Sequence, residues 1–263
     1  MTARRLRLVR GVGFTLALAG AACSWHRGSS YHLVRSYPHD LTAFTEGLLY
    51  SNGVLFESTG LYGHSQLRRE NLATGRVLAA DTLPANRFGE GLALLHGKLY
   101  QLTWKSGTGY VYDARTLAPL DSFRFPGEGW GLTTDSTSLI MSNGSADLRY
   151  FDPVTFATQR TVTVTDNGLP VTPLNELEYV RGELFANVYE TNLIVRIDPA
   201  SGHVLQWIDL TALVPPVEVG SAGNVLNGIA WEPASGDLLV TGKLWPKLFE
   251  IRVTPVPHAP RAR

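Results

Sequence analysis

Short runs of alternating apolar and polar residues fill most of the chain, and glycine-containing turns separate them. Leu92 and Leu94 lie in one such run, and Leu99 and Leu102 lie in the next, with His96-Gly97 between the two. Alternation with a period of two is typical of half-buried strands, and a glycine between two runs is typical of a tight turn. This stretch therefore predicts two antiparallel strands joined by a hairpin.

The same hairpin layout recurs five times, with a different residue at the start of each copy. The matched positions are separated by 44, 40, 45 and 52 residues. A repeat of this length indicates one supersecondary unit stacked or arrayed several times. The residues at the matched positions are Glu46, Glu90, Trp130, Asn175 and Asn227.

A second marker follows the same period. Asn71, Asp113, Asp152 and Asp198 each open a turn between two further strands, because a short polar side chain can cap its own turn. Each unit then holds about four short antiparallel strands, the content of one propeller blade. The sequence predicts an all-β fold, a five-bladed β-propeller; a β-sandwich with loose hairpins is the alternative.

The two ends of the repeat region predict how the ring closes. The fifth copy ends after Leu248–Ile251, one strand short of a blade. An additional strand, His32–Tyr37, precedes the first copy and can supply the missing outer strand, which leaves no open edge. The propeller domain is predicted to span residues 31–253, and the Pro- and Arg-containing tail 254–263 is expected to be disordered.

Composition and the absence of certain motifs argue against several classes of function. The chain has 23 Lys plus Arg and 23 Asp plus Glu, so it lacks the basic character of a nucleic-acid-binding protein. Its seven histidines form no His-x-His or His-Glu-x-x-His pattern, and no Gly-x-Ser-x-Gly elbow is present. The chain has one cysteine, so no disulfide can form within it. We also expect the protein to be a monomer.

Residues 1–23 have the features of an export segment. Four arginines within residues 4–10 precede the apolar run Gly11–Ala19, which is too short for a membrane span. Cys23 stands where a bacterial lipoprotein cysteine would stand, although Gly20 replaces the leucine usual three residues earlier. The segment therefore predicts export, either as a lipid-anchored protein or by simple cleavage into the periplasm.

The propeller geometry brings two sets of residues to one mouth of the channel. The first set consists of the five matched positions, expected just before the first strand of each blade. The second set follows the second strand and comprises Trp104, Tyr189, Lys243, Gly60 and Gly144. Together they predict a pocket of two carboxylates, aromatic rings, two amides and one ammonium.

Several runs of this sequence are similar to the plant and bacterial type of glutaminyl-peptide cyclotransferase, the papaya-type glutaminyl cyclase. The resemblance covers about residues 31–253 and implies a five-bladed propeller that converts N-terminal glutamine to pyroglutamate with release of ammonia. The runs are Phe44-Thr-Glu-Gly-Leu48, Phe88-Gly-Glu-Gly-Leu92, Gly129-Trp-Gly-Leu132, Leu174-Asn-Glu-Leu-Glu-Tyr179, Val225-Leu-Asn-Gly-Ile-Ala-Trp231 and Thr241-Gly-Lys-Leu-Trp-Pro-Lys-Leu-Phe-Glu-Ile251.

The resemblance also implies roles for individual residues. It places the catalytic carboxylate on Glu90, with no cofactor required for catalysis and no metal ligand among the site residues. The plant members of the family have glutamine at the position of Glu46 and tryptophan at the position of Tyr189. The resemblance therefore leaves the substrate preference of this chain open. Some family members hold a calcium ion in the channel. The implied substrate-binding residues are Phe44, Glu46, Trp104, Trp130, Asn175 and Lys243, with Tyr189 as a further aromatic wall.

Two other functions fit the same mouth. One is a non-catalytic propeller that binds peptides. The other is a metal-dependent lactonase, which would use glutamate and asparagine side chains around a divalent ion. If the chain is a cyclotransferase, as the resemblance implies, its partners are peptides or proteins that begin with glutamine.

Overall fold

The computed structural model describes residues 30–215 and 224–254, and this part of the chain is built from strands. Five four-stranded antiparallel sheets are joined in chain order, and each is one blade. No helix in the described ranges is long and apolar enough to cross a membrane. The export segment 1–23 and nearly all of the tail 254–263 lie outside the described residues.

The strands follow the predicted repeat. Two short elements were not predicted: a hairpin of Thr165–Asp166 with Leu169–Pro170, and a 3-10 helix at Thr211–Leu213. The strands are β1 Tyr31–Pro38, β2 Thr45–Ser51, β3 Val54–Thr59, β4 Gln66–Asn71, β5 Arg76–Thr82, β6 Gly89–Leu95, β7 Lys98–Thr103, β8 Thr108–Asp113, β9 Pro119–Arg124, β10 Leu132–Thr134, β11 Leu139–Met141, β12 Asp147–Phe151, β13 Thr158–Thr163, β14 Thr165–Asp166, β15 Leu169–Pro170, β16 Leu174–Val180, β17 Glu183–Val188, β18 Leu193–Ile197, β19 Val204–Asp209, β20 Leu226–Glu232, β21 Asp237–Gly242 and β22 Lys247–Val253.

The ring closes as the sequence predicts. The first strands of the sheets, β2, β6, β10, β16 and β20, contact one another in order, and β20 also contacts β2. In the fifth sheet the order is β1-β22-β21-β20, so the N-terminal strand is the outer strand of the last blade. Tyr31 pairs with Val253 and Pro38 pairs with Lys247. This pairing fastens the start of the domain to its end.

The apolar core lies between blades. Five clusters of buried side chains each combine residues of two neighbouring sheets. Leu48 and Leu239, for example, join the first blade to the fifth. A fully buried Leu stabilises the fold by about 1.5–3 kcal/mol, so these interfaces hold the ring together and fix the position of each inner strand.

The acidic turn residues have the predicted role. Oδ1 of Asp113 accepts hydrogen bonds from the backbone N–H groups of Arg115 and Thr116 at 3.1 and 2.8 Å. Asn71, Asp152 and Asp198 cap their turns in the same way. These side chains serve the turns, at the end of the blades away from the mouth.

Bulges at the start of the inner strands aim side chains at the mouth. The pairing registers shift between Thr45 and Gly47 and between Gly89 and Leu92, and two similar shifts occur in β16 and β20. A bulge leaves a residue out of the ladder and redirects its side chain. Four of the five matched residues thus lie inside the strands, as the second residue of each, and not just before them as the repeat suggested.

Candidate active site

A buried ion pair lies at the base of the mouth. Nζ of Lys243 is 2.6 Å from Oε1 of Glu46. The second oxygen of Glu46 accepts a hydrogen bond from Nδ2 of Asn227 at 3.2 Å, and the same amide donates to the carbonyl of Thr45 at 3.0 Å. Glu46, Asn227 and Lys243 are 2%, 0% and 4% exposed. The first and fifth blades therefore meet through a compact charged network.

Glu90 lies beside this pair and shares a hydrogen bond with Glu46. Burial raises the pKa of Glu90 well above its ordinary value of 4.5, and the Glu46 carboxylate raises it further, although Lys243 opposes the change. Burial also raises the pKa of Glu46, but Lys243 and the hydrogen bond with Glu90 counteract this rise. Glu90 is accordingly the carboxyl that keeps the proton, and Glu46 is the partner that carries the charge.

Asn175 reaches the site from the fourth blade. Its side chain is 2% exposed, and its Oδ1 has no hydrogen-bond partner among the described residues. Its backbone carbonyl accepts a hydrogen bond from Oγ of Ser142 at 2.6 Å, which fixes the strand beside Trp130. A buried polar atom without a partner is costly unless a ligand or water satisfies it.

Half-buried aromatic rings surround the charged residues at the bottom of the mouth. Phe88 packs edge-on to Phe44 with ring centroids 6.1 Å apart, and it contacts Trp104 at 5.6 Å. Trp130 meets Tyr189 with ring centroids 5.5 Å apart in a T-shaped arrangement. The rings thus form two groups at the mouth, one of three rings and one of two.

Lys243 connects this charged network to the aromatic rings. Its Nζ lies 4.6 Å from the centroid of the Phe44 ring and 5.3 Å from that of Tyr189. A cation over an aromatic face is favourable, most of all where water is excluded. The aromatic walls and the ion pair are therefore parts of one site.

Two glycines make room for the rings. A Cβ atom at Gly60 would lie 2.4 Å from the Phe88 ring, and one at Gly144 would lie 2.8 Å from the Trp130 ring. Both glycines occupy positions where other blades carry a large side chain. Their absence of a side chain leaves room for an aromatic ring at the mouth, from the next blade at Gly60 and from the same blade at Gly144.

The structure brings the predicted site residues to one mouth. Glu46, Glu90 and Lys243 interact directly, and Phe44 and Tyr189 flank the ammonium group. Trp104 and Trp130 both donate a hydrogen bond to Glu128, a residue that the sequence did not suggest. Asn175 lies next to this group on the first strand of the fourth blade.

Two functional candidates were missed, Phe88 and Glu128. Each had a local signal. Phe88 precedes Gly89-Glu90-Gly91, and Glu128 stands in Gly127-Glu128-Gly129, the same acid between two glycines that marks Glu90. Neither occupies the matched position of the repeat, which explains why period alone did not select them.

The channel contains further buried carboxyls that serve the backbone. Oε1 and Oε2 of Glu176 accept hydrogen bonds from the N–H groups of Leu48 and Ile229 at 3.3 and 2.8 Å. Burial raises the pKa of Glu178 to about 7. Among the described residues, no group of three or more His, Cys, Asp or Glu side chains is arranged to hold a metal ion. Calcium in the channel stays a prediction without an assigned set of ligands.

Comparison with known proteins gives the family. The family model for glutamine cyclotransferase matches residues 11–253. A glutaminyl-peptide cyclotransferase from Arabidopsis thaliana is 44% identical over 232 residues, which are 87% of this chain and 72% of that protein. The crystal structure of Myxococcus xanthus glutaminyl cyclase matches with a TM-score of 0.81 at 40% identity, covering 86% of this chain and 97% of that one. The chain belongs to the glutamine cyclotransferase family.

Proposed function

We propose that this protein is a glutaminyl-peptide cyclotransferase that converts the N-terminal glutamine of peptides or proteins to pyroglutamate and releases ammonia. The observation that carries the proposal is the buried Glu90 beside the Glu46–Lys243 ion pair, at the bottom of a mouth lined by aromatic rings. Family membership supports the same reaction.

The reaction depends first on how the substrate is positioned. The α-amine of the substrate attacks the carbon of its own γ-carboxamide, so the reaction is a five-membered ring closure. Holding the bent conformer supplies much of the rate of an intramolecular reaction. The rings of Trp104, Trp130 and Tyr189 would restrict the glutamine side chain and exclude water from it.

Glu90 would carry the proton. As the neutral amine adds to the amide carbon, its nitrogen becomes acidic, whereas the departing nitrogen needs a proton to leave as ammonia. Glu90 in its acid form gives its proton to the leaving nitrogen and recovers one from the attacking nitrogen, so no net proton is consumed. A pKa raised by burial keeps the carboxyl protonated at the start of this cycle.

Lys243 and Asn175 would bind the oxygen that becomes negative. One N–H of the Lys243 ammonium group is directed at Glu46. An ammonium group has three donors, so others remain for the substrate. The Asn175 amide is a second donor, and its unpartnered Oδ1 is suited to accept a hydrogen bond from the substrate's amine or carboxamide.

Glu46 would set the charge of the site. It balances Lys243, and its negative charge favours the proton on Glu90. The same charge would attract the ammonium form of the substrate's amine, although the reaction itself uses the neutral amine. Binding and reaction therefore make opposite demands on Glu46.

A peptide that begins with glutamine tests the proposal. Purified protein should release one ammonia per peptide, and the peptide should lose the mass of ammonia. The same peptide with an acetylated amine is the matched control and should stay intact, because it has no free nucleophile. Binding of the free peptide without ammonia release would favour a peptide-binding propeller instead.

Treatment with a chelator distinguishes the cyclotransferase from a metal-dependent lactonase. Ammonia release that persists after chelator treatment supports the cyclotransferase. A metal-dependent lactonase should hydrolyse lactones, should release no ammonia from the peptide and should lose its activity on chelation.

We also propose that the protein is exported and that Cys23 carries a lipid anchor, on the basis of the sequence pattern of residues 1–23. Labelling cells with a fatty-acid analogue should mark the wild-type protein and leave a Cys23→Ser variant unlabelled. A variant that stays in the membrane fraction as the wild type does would argue against the anchor.

A further inference from the structure

One carboxylate joins the two tryptophans of the mouth. Oε2 of Glu128 accepts a hydrogen bond from the indole N–H of Trp104 at 2.8 Å and another from that of Trp130 at 3.1 Å. The two rings belong to different blades, since Trp104 follows β7 and Trp130 precedes β10. Glu128 lies on the connection between these blades, after β9.

Two hydrogen bonds fix the backbone on the C-terminal side of Glu128. The N–H of Gly129 donates to the carbonyl of Trp104 at 3.0 Å, and the N–H of Trp130 donates to the carbonyl of Ser142 at 3.0 Å. Gly127 has a φ of +80°, a conformation that favours glycine and turns the chain back toward the mouth. The carboxylate therefore stands on an anchored loop and not on a free one.

We propose that Glu128 is a positioning residue of the proposed cyclotransferase: its carboxylate holds the indoles of Trp104 and Trp130 in the orientation that forms the substrate cage. This inference rests on the proposed function. A hydrogen bond from a neutral N–H to a carboxylate is stronger than one between neutral groups. Rotation of either indole breaks one of these bonds, so the carboxylate selects one rotamer of each ring.

Other roles fit the geometry less well. Nζ of Lys105 is 4.0 Å from Oε1 of Glu128, and the two side chains are 55% and 41% exposed, so an ion pair between them contributes little. Lys105 lies 3.8 Å from the centroid of the Trp104 ring, where it covers one side of that indole. A direct role in substrate binding would have to use an oxygen other than Oε2, which both indoles occupy.

The test removes the carboxylate in two backgrounds. In the wild type, Glu128→Ala should lower kcat/KM for a glutamine-initiated peptide by at least about tenfold, because two hydrogen bonds to a charged group are lost. Glu128→Gln keeps one acceptor oxygen and should recover part of that loss. In a Trp104→Phe/Trp130→Phe background, which lacks both N–H donors, Glu128→Ala should have a much smaller effect, limited to the loss of its charge near Glu90. An equal loss in both backgrounds would overturn the proposal.

Two measurements keep the result interpretable. Glu190→Gln is the matched control, since Glu190 is an exposed carboxylate next to Tyr189, and it should leave kcat/KM unchanged. Intrinsic tryptophan emission should change in Glu128→Ala and stay unchanged in the control. If emission and kcat/KM both match the wild type in Glu128→Ala, the proposal is refuted. If the wild type itself releases no ammonia, the proposed function fails, whereas an emission change would still support the tie between the indoles.

Discussion

Lys243 and Glu46 form an ion pair of 2.6 Å across the closure of the ring, and their side chains are only 5% and 3% exposed. Glu46 is on the first strand of the first blade, and Lys243 follows the second strand of the last blade. The site is therefore assembled where the two ends of the propeller meet, and its electrostatics depend on that closure.

Breaking this pair from one side should be costly. Lys243→Met leaves a buried carboxylate without its cation, and we expect a loss of about 3–5 kcal/mol in the free energy of unfolding. The double variant Lys243→Met/Glu46→Gln removes both charges and should regain much of that stability, although it should stay inactive. Denaturant unfolding of the two single variants and the double variant measures this coupling. Strictly additive losses would show that the two side chains do not stabilise each other.

Glu46→Gln should also move the pH profile of kcat/KM. The charge of Glu46 raises the pKa of Glu90, so its removal lowers that pKa and shifts the basic limb to lower pH. The acid limb should move in the same direction, since the substrate's amine loses its proton more easily without a negative charge nearby. Asp121→Asn, at an exposed position of the outer strand β9, provides the control for a loss of charge away from the site. A Glu46→Gln profile that superposes on the wild type would mean that Glu46 senses neither group.

A methyl group at Gly144 should displace Trp130. Its φ is +81°, and an added Cβ would lie 2.8 Å from the indole. Gly53 has a φ of +82° with nothing within 4 Å of the added Cβ, so Gly53→Ala carries the same backbone cost without the contact. We expect Gly144→Ala to lower kcat/KM, with a thermal midpoint close to that of Gly53→Ala. Similar kinetics in the two variants would contradict a need for space beneath the ring.

Stability should fall as the pH rises from neutral toward 9. Burial raises the pKa of Glu70 from 4.5 to about 9, and the Glu57 carboxylate adds to the rise. Burial alone would lower the pKa of His39, but Glu57 outweighs it and raises that pKa from 6.5 to about 9. Both groups bind a proton more tightly in the folded state, so each contribution is present at low pH and is lost as the pH approaches 9.

The measurement is the thermal midpoint between pH 6 and pH 9.5. The thermal midpoint of the wild type should fall steadily across this range. Glu70→Gln replaces a protonated acid with an amide of the same shape and should show a shallower decline. Parallel curves for the two proteins would show that Glu70 does not bind the proton.

The fold was predictable because its signals are local. Alternating runs, turn glycines and the polar caps Asn71, Asp113, Asp152 and Asp198 each act within a few residues, and their common period gave the number of blades. The missing strand of the last blade pointed to the N-terminal strand by counting alone. Neither inference needed a long-range contact.

The repeat predicted the site residues at its matched positions, and the family resemblance added Phe44 and the catalytic role of Glu90. Glu46, Glu90 and Lys243 occupy matched positions, and so they could be grouped from sequence. The double hydrogen bond of Glu128 depends on two blades meeting, and Gly60 has a role only because Phe88 of the next blade fills its place. Such approaches between distant parts of the chain leave no period in the sequence.

The most direct test of the account is the rate of ammonia release by Glu90→Gln beside its folding. The amide keeps the size of the protonated acid but cannot carry a proton, so the blades should fold as before while turnover of a glutamine-initiated peptide falls by at least about 100-fold. Glu190→Gln, with the same chemical change on an exposed loop, should match the wild type. A folded Glu90→Gln protein with near wild-type turnover would contradict the assignment of Glu90 as the proton carrier.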